Sequence, residues 1–148
     1  MVKTGLRYAD AVVGEHLGTA VNFATKEAIR AYAEVTEDHD PIYWNEDAAK
    51  AAGYPGIVAP SGFCLQYTDI KVAVGQDRYV PQGSVHAKQH YELHGFICAG
   101  DCLTTTVTIG DKYEKKGRHY VDYRCEVTNQ RGEVVCVSDY INILAEVE

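Results

Sequence analysis

Within six residues, Asp38-His39-Asp40-Pro41-Ile42-Tyr43, the chain offers two carboxylates, an imidazole and a phenol. These are the groups of general acid–base chemistry, able to take a proton from a reacting atom or return one. Pro41 fixes its own φ and drives Asp40 towards extended backbone, so the stretch reads as a rigid polar turn rather than a solvated charge run. The alternative is purely structural: an Asx-type turn in which Asp40 bonds backbone amides. A second stretch, Gly56-Ile57-Val58-Ala59-Pro60-Ser61-Gly62-Phe63, reads as a short apolar strand, a break at Pro60 and a helix start. The N–H groups of Ser61 and Gly62, free at that start, form a partial positive site, and aimed at a carbonyl oxygen they make an oxyanion hole. Pro60 has no N–H to add. Ser61 lacks the Gly-x-Ser-x-Gly context of a nucleophile elbow and is better read as the helix N-cap. The two stretches are expected to meet over one substrate.

Other candidate chemistry is weaker. His86, His90 and His94 alternate along a strand-like run, but neighbours four apart on a strand sit roughly 13 Å from each other, too far to share one ion. No metal is expected. The net charge of −7 argues against a nucleic-acid partner. The one dense basic cluster, Lys112, Lys115, Lys116 and Arg118, is either a solvated hairpin tip or a landing site for an anionic cofactor arm such as a nucleotide phosphate. The five cysteines, at 64, 98, 102, 125 and 136, are odd in number and lack a Cys-x-x-Cys pair, which points to reduced thiols in a cytoplasmic protein, most of them small core residues. No apolar run is long enough to span a membrane, and the N-terminus has no hydrophobic signal core, so neither a membrane nor secretion is expected.

The elements that must position these residues follow from periodicity. The length of 148 residues suits one domain, with no repeat or linker. Residues 1–24 read as irregular to extended. Thr25 is an N-cap candidate for a helix carrying Ala28, Ile29, Tyr32 and Val35 on one face, ending near Thr36 and delivering the Asp38 turn. Asn45 caps a second helix that stops at Gly53. From Ser61, the residues Phe63, Cys64, Tyr67, Ile70, Lys71 and Val74 keep a helical period over much of the circumference, the mark of a buried helix ending at Gly75. After residue 80 the period becomes 2, with strands through Val85–Leu93, Leu103–Ile109, Val121–Val127 and Val135–Ile143 and a turn at Asn129–Gly132. Helices followed by antiparallel strands give an α+β fold, a sheet curled around one buried helix.

In this order the motifs resemble the MaoC-like, hot-dog-fold hydratases and dehydratases. The resemblance runs from about residue 20 to 145 and is nearest to the branch related to the dehydratase domain of type I fatty acid synthases. It is carried by Asp38-x-Asp40-Pro41-x-Tyr43, the Asp47-Ala48-Ala49 helix, Gly56-Ile57-Val58-Ala59-Pro60, the buried helix, and Gln89-His90-Tyr91-Glu92-Leu93-His94-Gly95-Phe96 followed by Ala99-Gly100-Asp101-Cys102-Leu103. The resemblance implies a single hot-dog domain over 1–148, a long central helix wrapped by a curved antiparallel sheet, and two hot dogs paired side by side. It implies an acyl-CoA or acyl-carrier-protein thioester as substrate, no further cofactor, and reversible (R)-specific hydration of a 2-enoyl thioester. Asp38 then holds the attacking water, the Ser61 and Gly62 amides polarise the thioester carbonyl, and Asp40 stands where the family usually has Asn. Tyr43 replaces the family's catalytic His. With a pKa of about 10, a phenol is a poor base at neutral pH, and His39 can replace the imidazole only if its ring turns inward. The preferred expectation is a hydratase or dehydratase in which Tyr43 orients or protonates. The alternatives are a non-catalytic acyl-CoA-binding subunit of a heteromer whose partner carries the Asp/His pair, and a hot-dog thioesterase. A homodimer or higher oligomer is expected, because an exposed sheet edge is a liability.

Overall fold

The computed structural model describes residues 5–68 and 74–147. Five antiparallel strands, β1 (His16–Phe23), β2 (Val85–Leu93), β3 (Cys102–Lys115), β4 (Arg118–Thr128) and β5 (Val134–Ile143), form one sheet in the order β1-β3-β4-β5-β2. The β-branched run of β3 alternates cleanly: Leu103, Thr105, Val107 and Ile109 are buried, and Thr104, Thr106 and Thr108 are not. In register with it, Val121, Tyr123, Cys125 and Val127 of β4 face the same core. Gly110 sits at a register shift in β3 because a Cβ there would lie 3.0 Å from Asp122 Oδ2 and 3.2 Å from Arg124 Cβ.

The helices start where their caps dictate. Thr25 Oγ1 accepts from Ala28 N at 3.1 Å and opens α1 (Lys26–Val35). Asn45 Oδ1 accepts from Ala48 N at 2.9 Å and opens α2 (Glu46–Ala51). Along α1 the buried residues are Ile29 and Ala33, whereas Val35, expected on the inner face, is 83% exposed.

The expected buried helix differs from its pattern. Ser61–Gln66 is a 3-10 helix, the tighter geometry common at helix termini. Its N-cap is Pro60, with no side-chain bond, so Ser61 is the first helical residue and not the cap. Ile70 and Lys71 lie outside the described residues. Phe63, Cys64, Tyr67 and Thr68 are buried. Thr105 Oγ1 donates to Tyr67 O at 2.8 Å and Cys125 Sγ to Thr68 O at 3.5 Å, which fastens this segment to the inner face of β3 and β4. Among the described residues no helix is long and apolar enough to cross a membrane.

Candidate functional site

The Asp38 turn is built from the end of α1. Asp38 N donates to Ala33 O at 2.8 Å and Glu37 N to Glu34 O at 3.1 Å, with Glu37 in the left-handed region at φ 55°. This is a Schellman ending carried by a glutamate where glycine is usual. The chain then bends sharply. Asp38 Oδ1 accepts from Asp40 N at 3.3 Å, and Asp40 Oδ1 accepts from Ile42 N at 3.2 Å, opening a single 3-10 turn at Pro41–Tyr43. Asp40 therefore does the structural work of an Asx turn, and His39 is exposed.

Three hydrogen bonds fix the turn against its neighbours. Trp44 Nε1 donates to Asp38 O at 2.9 Å, Arg30 Nη2 to Trp44 O at 2.8 Å, and Val58 N to Ile42 O at 3.2 Å. The last ties the turn to the Gly56–Pro60 run, itself held by Ala59 N to Ile97 O and Ala99 N to Ile57 O, both 2.8 Å. The two stretches singled out by their chemistry are thus adjacent.

Between them lies a cavity of about 450 Å³. Tyr43 and Ser61 line it, together with Tyr54, Cys64, His94 and Phe96. Tyr54 and Phe96 meet edge to face, centroids 5.0 Å apart. Phe63 N is bonded back to Pro60 O at 2.9 Å, so the amides of Ser61 and Gly62 precede the first closed helical bond. Gly62 lies against the Tyr32 hydroxyl so closely that any Cβ would collide with it. Burial, followed by the charges of Asp38 and Asp40, holds the Tyr43 phenol above its ordinary pKa. Tyr43 therefore stays protonated at neutral pH and is a hydrogen-bond donor, not a base. Asp38, Asp40 and His39 do not line the cavity. The field of Asp38 reaches it through Tyr43.

Sequence reasoning missed His94. Periodicity grouped it with His86 and His90, but a register shift between His86 and Lys88 breaks that row. His86 stacks on Tyr140 at 4.0 Å, and His94, past the end of β2, turns into the cavity wall. Its Nε2 lies 3.3 Å from Glu92 Oε2. The signal available was the Leu93-His94-Gly95-Phe96 break from strand to turn. The basic residues Lys115, Lys116 and Arg118 occupy the β3–β4 hairpin tip, exposed. The opposite end of β4, Thr128, pairs with Val134 beside the cavity-lining Val135. Eleven residues of strand place the hairpin about 30 Å from that wall of the same protomer. The structure does not bring this cluster to the site.

Residues 11–138 match the family model of the FAS1-like dehydratase domain region. A UPF0336 protein of Saccharopolyspora erythraea is 35% identical over 117 residues, covering 76% of this chain and 75% of its own. A MaoC-like dehydratase from Rhodospirillum rubrum superposes with a TM-score of 0.81 at 24% identity, covering 97% of this chain and 100% of the other. A chain of the Mycobacterium tuberculosis HadBC (3R-hydroxyacyl-ACP dehydratase) complex superposes at 0.69 with 27% identity, covering 84% and 90%. The chain belongs to the family of the FAS1-like dehydratase domain region, and it shares the hot-dog fold of the MaoC-like dehydratase.

Proposed function

We propose that this chain is the acyl-thioester-binding half of a hydratase/dehydratase assembly, one that interconverts 2-enoyl and (3R)-3-hydroxyacyl thioesters of coenzyme A or acyl carrier protein. The observation that carries this is Tyr43. It stands in the cavity where the family's motif has a proton-accepting imidazole, and its surroundings keep it protonated. The amides of Ser61 and Gly62 donate to the thioester oxygen, polarising the carbonyl towards the enolate that hydration forms. Ile42, Val58, Leu93 and Phe96 give the acyl chain an apolar wall. Tyr43 donates a hydrogen bond to the bound thioester or its hydroxyl. The Asp/His pair that removes the proton of water comes from a second hot dog. The edge strand β2, with Val85 56% and Leu93 52% exposed, is where that second hot dog pairs. The heteromeric HadBC complex among the similar structures supports such an assembly.

A second reading, a chain catalytic by itself, is favoured by His94: an imidazole in the same cavity with a carboxylate beside it has the groups of a general base. Incubating the purified chain with a 2-enoyl-CoA separates the two. Binding without turnover supports the first. Loss of the alkene with the thioester intact, abolished by His94→Gln, overturns it in favour of the second. Release of free thiol means a thioesterase and overturns both.

A further inference from the structure

We propose that a second cavity, beside the acyl cavity, holds the polar arm of the thioester, with Lys26 and Arg131 taking the arm's phosphate. This rests on the acyl-thioester reading given above and adds where the non-reacting end of the substrate lies. The second cavity has a volume of about 360 Å³. The two cavities share one pair of short extended runs, joined by an antiparallel bridge between Val58 and Cys98. Val58 and Ile97 belong to the acyl cavity, Ile57 and Cys98 to the second, and Phe96 lines both. A ligand that crosses Phe96 therefore occupies the two together.

Their walls differ as the two halves of an acyl thioester differ. Among the described residues the acyl cavity has no Lys, Arg, Asp or Glu on its walls. The second cavity has Lys26, Arg131, Glu46 and Asp101. Both acids are already engaged. Glu46 Oε1 lies 3.1 Å from Lys50 Nζ. Asp101, 7% exposed, accepts from Cys98 N at 2.8 Å and from Gln130 Nε2 at 2.9 Å. The Gln130 bond ties the turn after β4 to the cavity wall. In that turn Asn129 Oδ1 accepts from Arg131 N at 3.0 Å, which fixes the backbone that carries Arg131.

The cations, by contrast, keep donors to spare. Lys26 has no ion-pair partner among the described residues. Arg131 meets Glu133 through Nε at 2.9 Å and Nη2 at 3.3 Å, which leaves Nη1 to donate. An ammonium and a guanidinium are the side-chain groups that bind phosphate best, one as a point charge and the other as a fork. Apolar cavity, aromatic threshold and cationic rim follow one another as acyl chain, thioester and phosphate-ended arm do. Coenzyme A and acyl carrier protein present the same arm, a pantetheine carrying a phosphate, so the site fits either source.

The test is calorimetric titration of the whole chain with three crotonyl thioesters: that of pantetheine, which lacks the phosphate, that of 4′-phosphopantetheine, and that of coenzyme A. The two phosphate-bearing ligands should bind more tightly than the first, by a margin that shrinks as salt rises. Lys26→Gln and Arg131→Gln, both at exposed positions, should each weaken those two by about 2- to 5-fold at low ionic strength. They should leave crotonyl-pantetheine unchanged. Lys115→Gln, the same change of charge at the β3–β4 hairpin tip, should leave all three unchanged. Equal affinity for the 4′-phosphopantetheine and coenzyme A thioesters supports the proposal and means that the phosphate alone is recognised, as a carrier-protein arm requires. Tighter binding of the coenzyme A thioester supports it with the nucleotide as an added contact. Equal affinity for all three ligands, or equal losses from Lys26→Gln and Lys115→Gln, overturns this inference alone. A wild-type chain that binds none of the three overturns the acyl-thioester reading and this inference with it.

Discussion

Gly62→Ala is the sharpest probe of how the cavity's helix start is held. The backbone of Gly62 is not in the left-handed region, so alanine meets no conformational penalty there, and as a helix residue it would gain about 0.5–1 kcal/mol over glycine. The obstacle is the Tyr32 hydroxyl, which occupies the space of a Cβ. Tyr32 cannot simply swing away, because its ring meets the fully buried Phe63 edge to face, centroids 5.7 Å apart. Overpacking of this kind costs about 1–3 kcal/mol. Less the helical gain, Gly62→Ala should destabilise by about 1–2 kcal/mol, or roughly 2–8 °C in Tm for a chain of this size. Removing the oxygen removes the clash: the next atom, Tyr32 Cζ, lies 3.5 Å from the ideal Cβ, an ordinary contact. In a Tyr32→Phe background Gly62→Ala should therefore be neutral or slightly stabilising. A double-mutant cycle by urea unfolding, with m unchanged, should give a coupling of about 1.5 kcal/mol or more. Equal destabilisation in both backgrounds would refute the packing argument.

Asp122 makes stability fall as pH rises. Burial, with the nearby Asp139 charge, pushes its carboxyl up to about 6, partly offset by Arg124. From about pH 4 to 6 the folded state keeps a proton that the unfolded chain has lost, so this group's contribution declines through that window and remains a penalty above it. Partial solvent access tempers the size. Asp122→Asn should flatten the Tm-against-pH curve between pH 4 and 7 and raise Tm at pH 7.5; parallel curves for the two proteins would count against this. Glu37→Gly relieves a left-handed residue at the end of α1 and should stabilise by about 0.5–1 kcal/mol in chemical denaturation, with no loss of ligand binding. Sedimentation at micromolar concentration should show a dimer or larger species, alone or with a second hot-dog chain, and a charge placed at Leu93 on the β2 edge should dissociate it.

What the sequence determined by itself is local. Thr25 and Asn45 cap their helices because a side-chain oxygen needs only the amide three residues on. Pro41 and Asp40 make the turn because φ and one short hydrogen bond decide it. Period-2 alternation located the four strands after residue 80 because pleating acts on each residue in turn, whereas β1 (His16–Phe23) lies in the stretch read only as irregular to extended. The motif order carried the family, since it is read along the chain. The tertiary structure decided what depends on register and on distant elements. A register shift between His86 and Lys88 separates His86 from His90, and His94, beyond the end of β2, lines the cavity; neither is contained in the periodicity of one strand. The basic hairpin and the cavity fall at opposite ends of β4, because strand length converts sequence spacing into about 30 Å of separation. Tyr32 against Gly62 is a contact between elements whose approach is set by packing of the whole core. Tyr43 was legible as a departure from the family's motif. That it faces the cavity as a protonated donor follows only from burial and the carboxylates that the folded turn places around it.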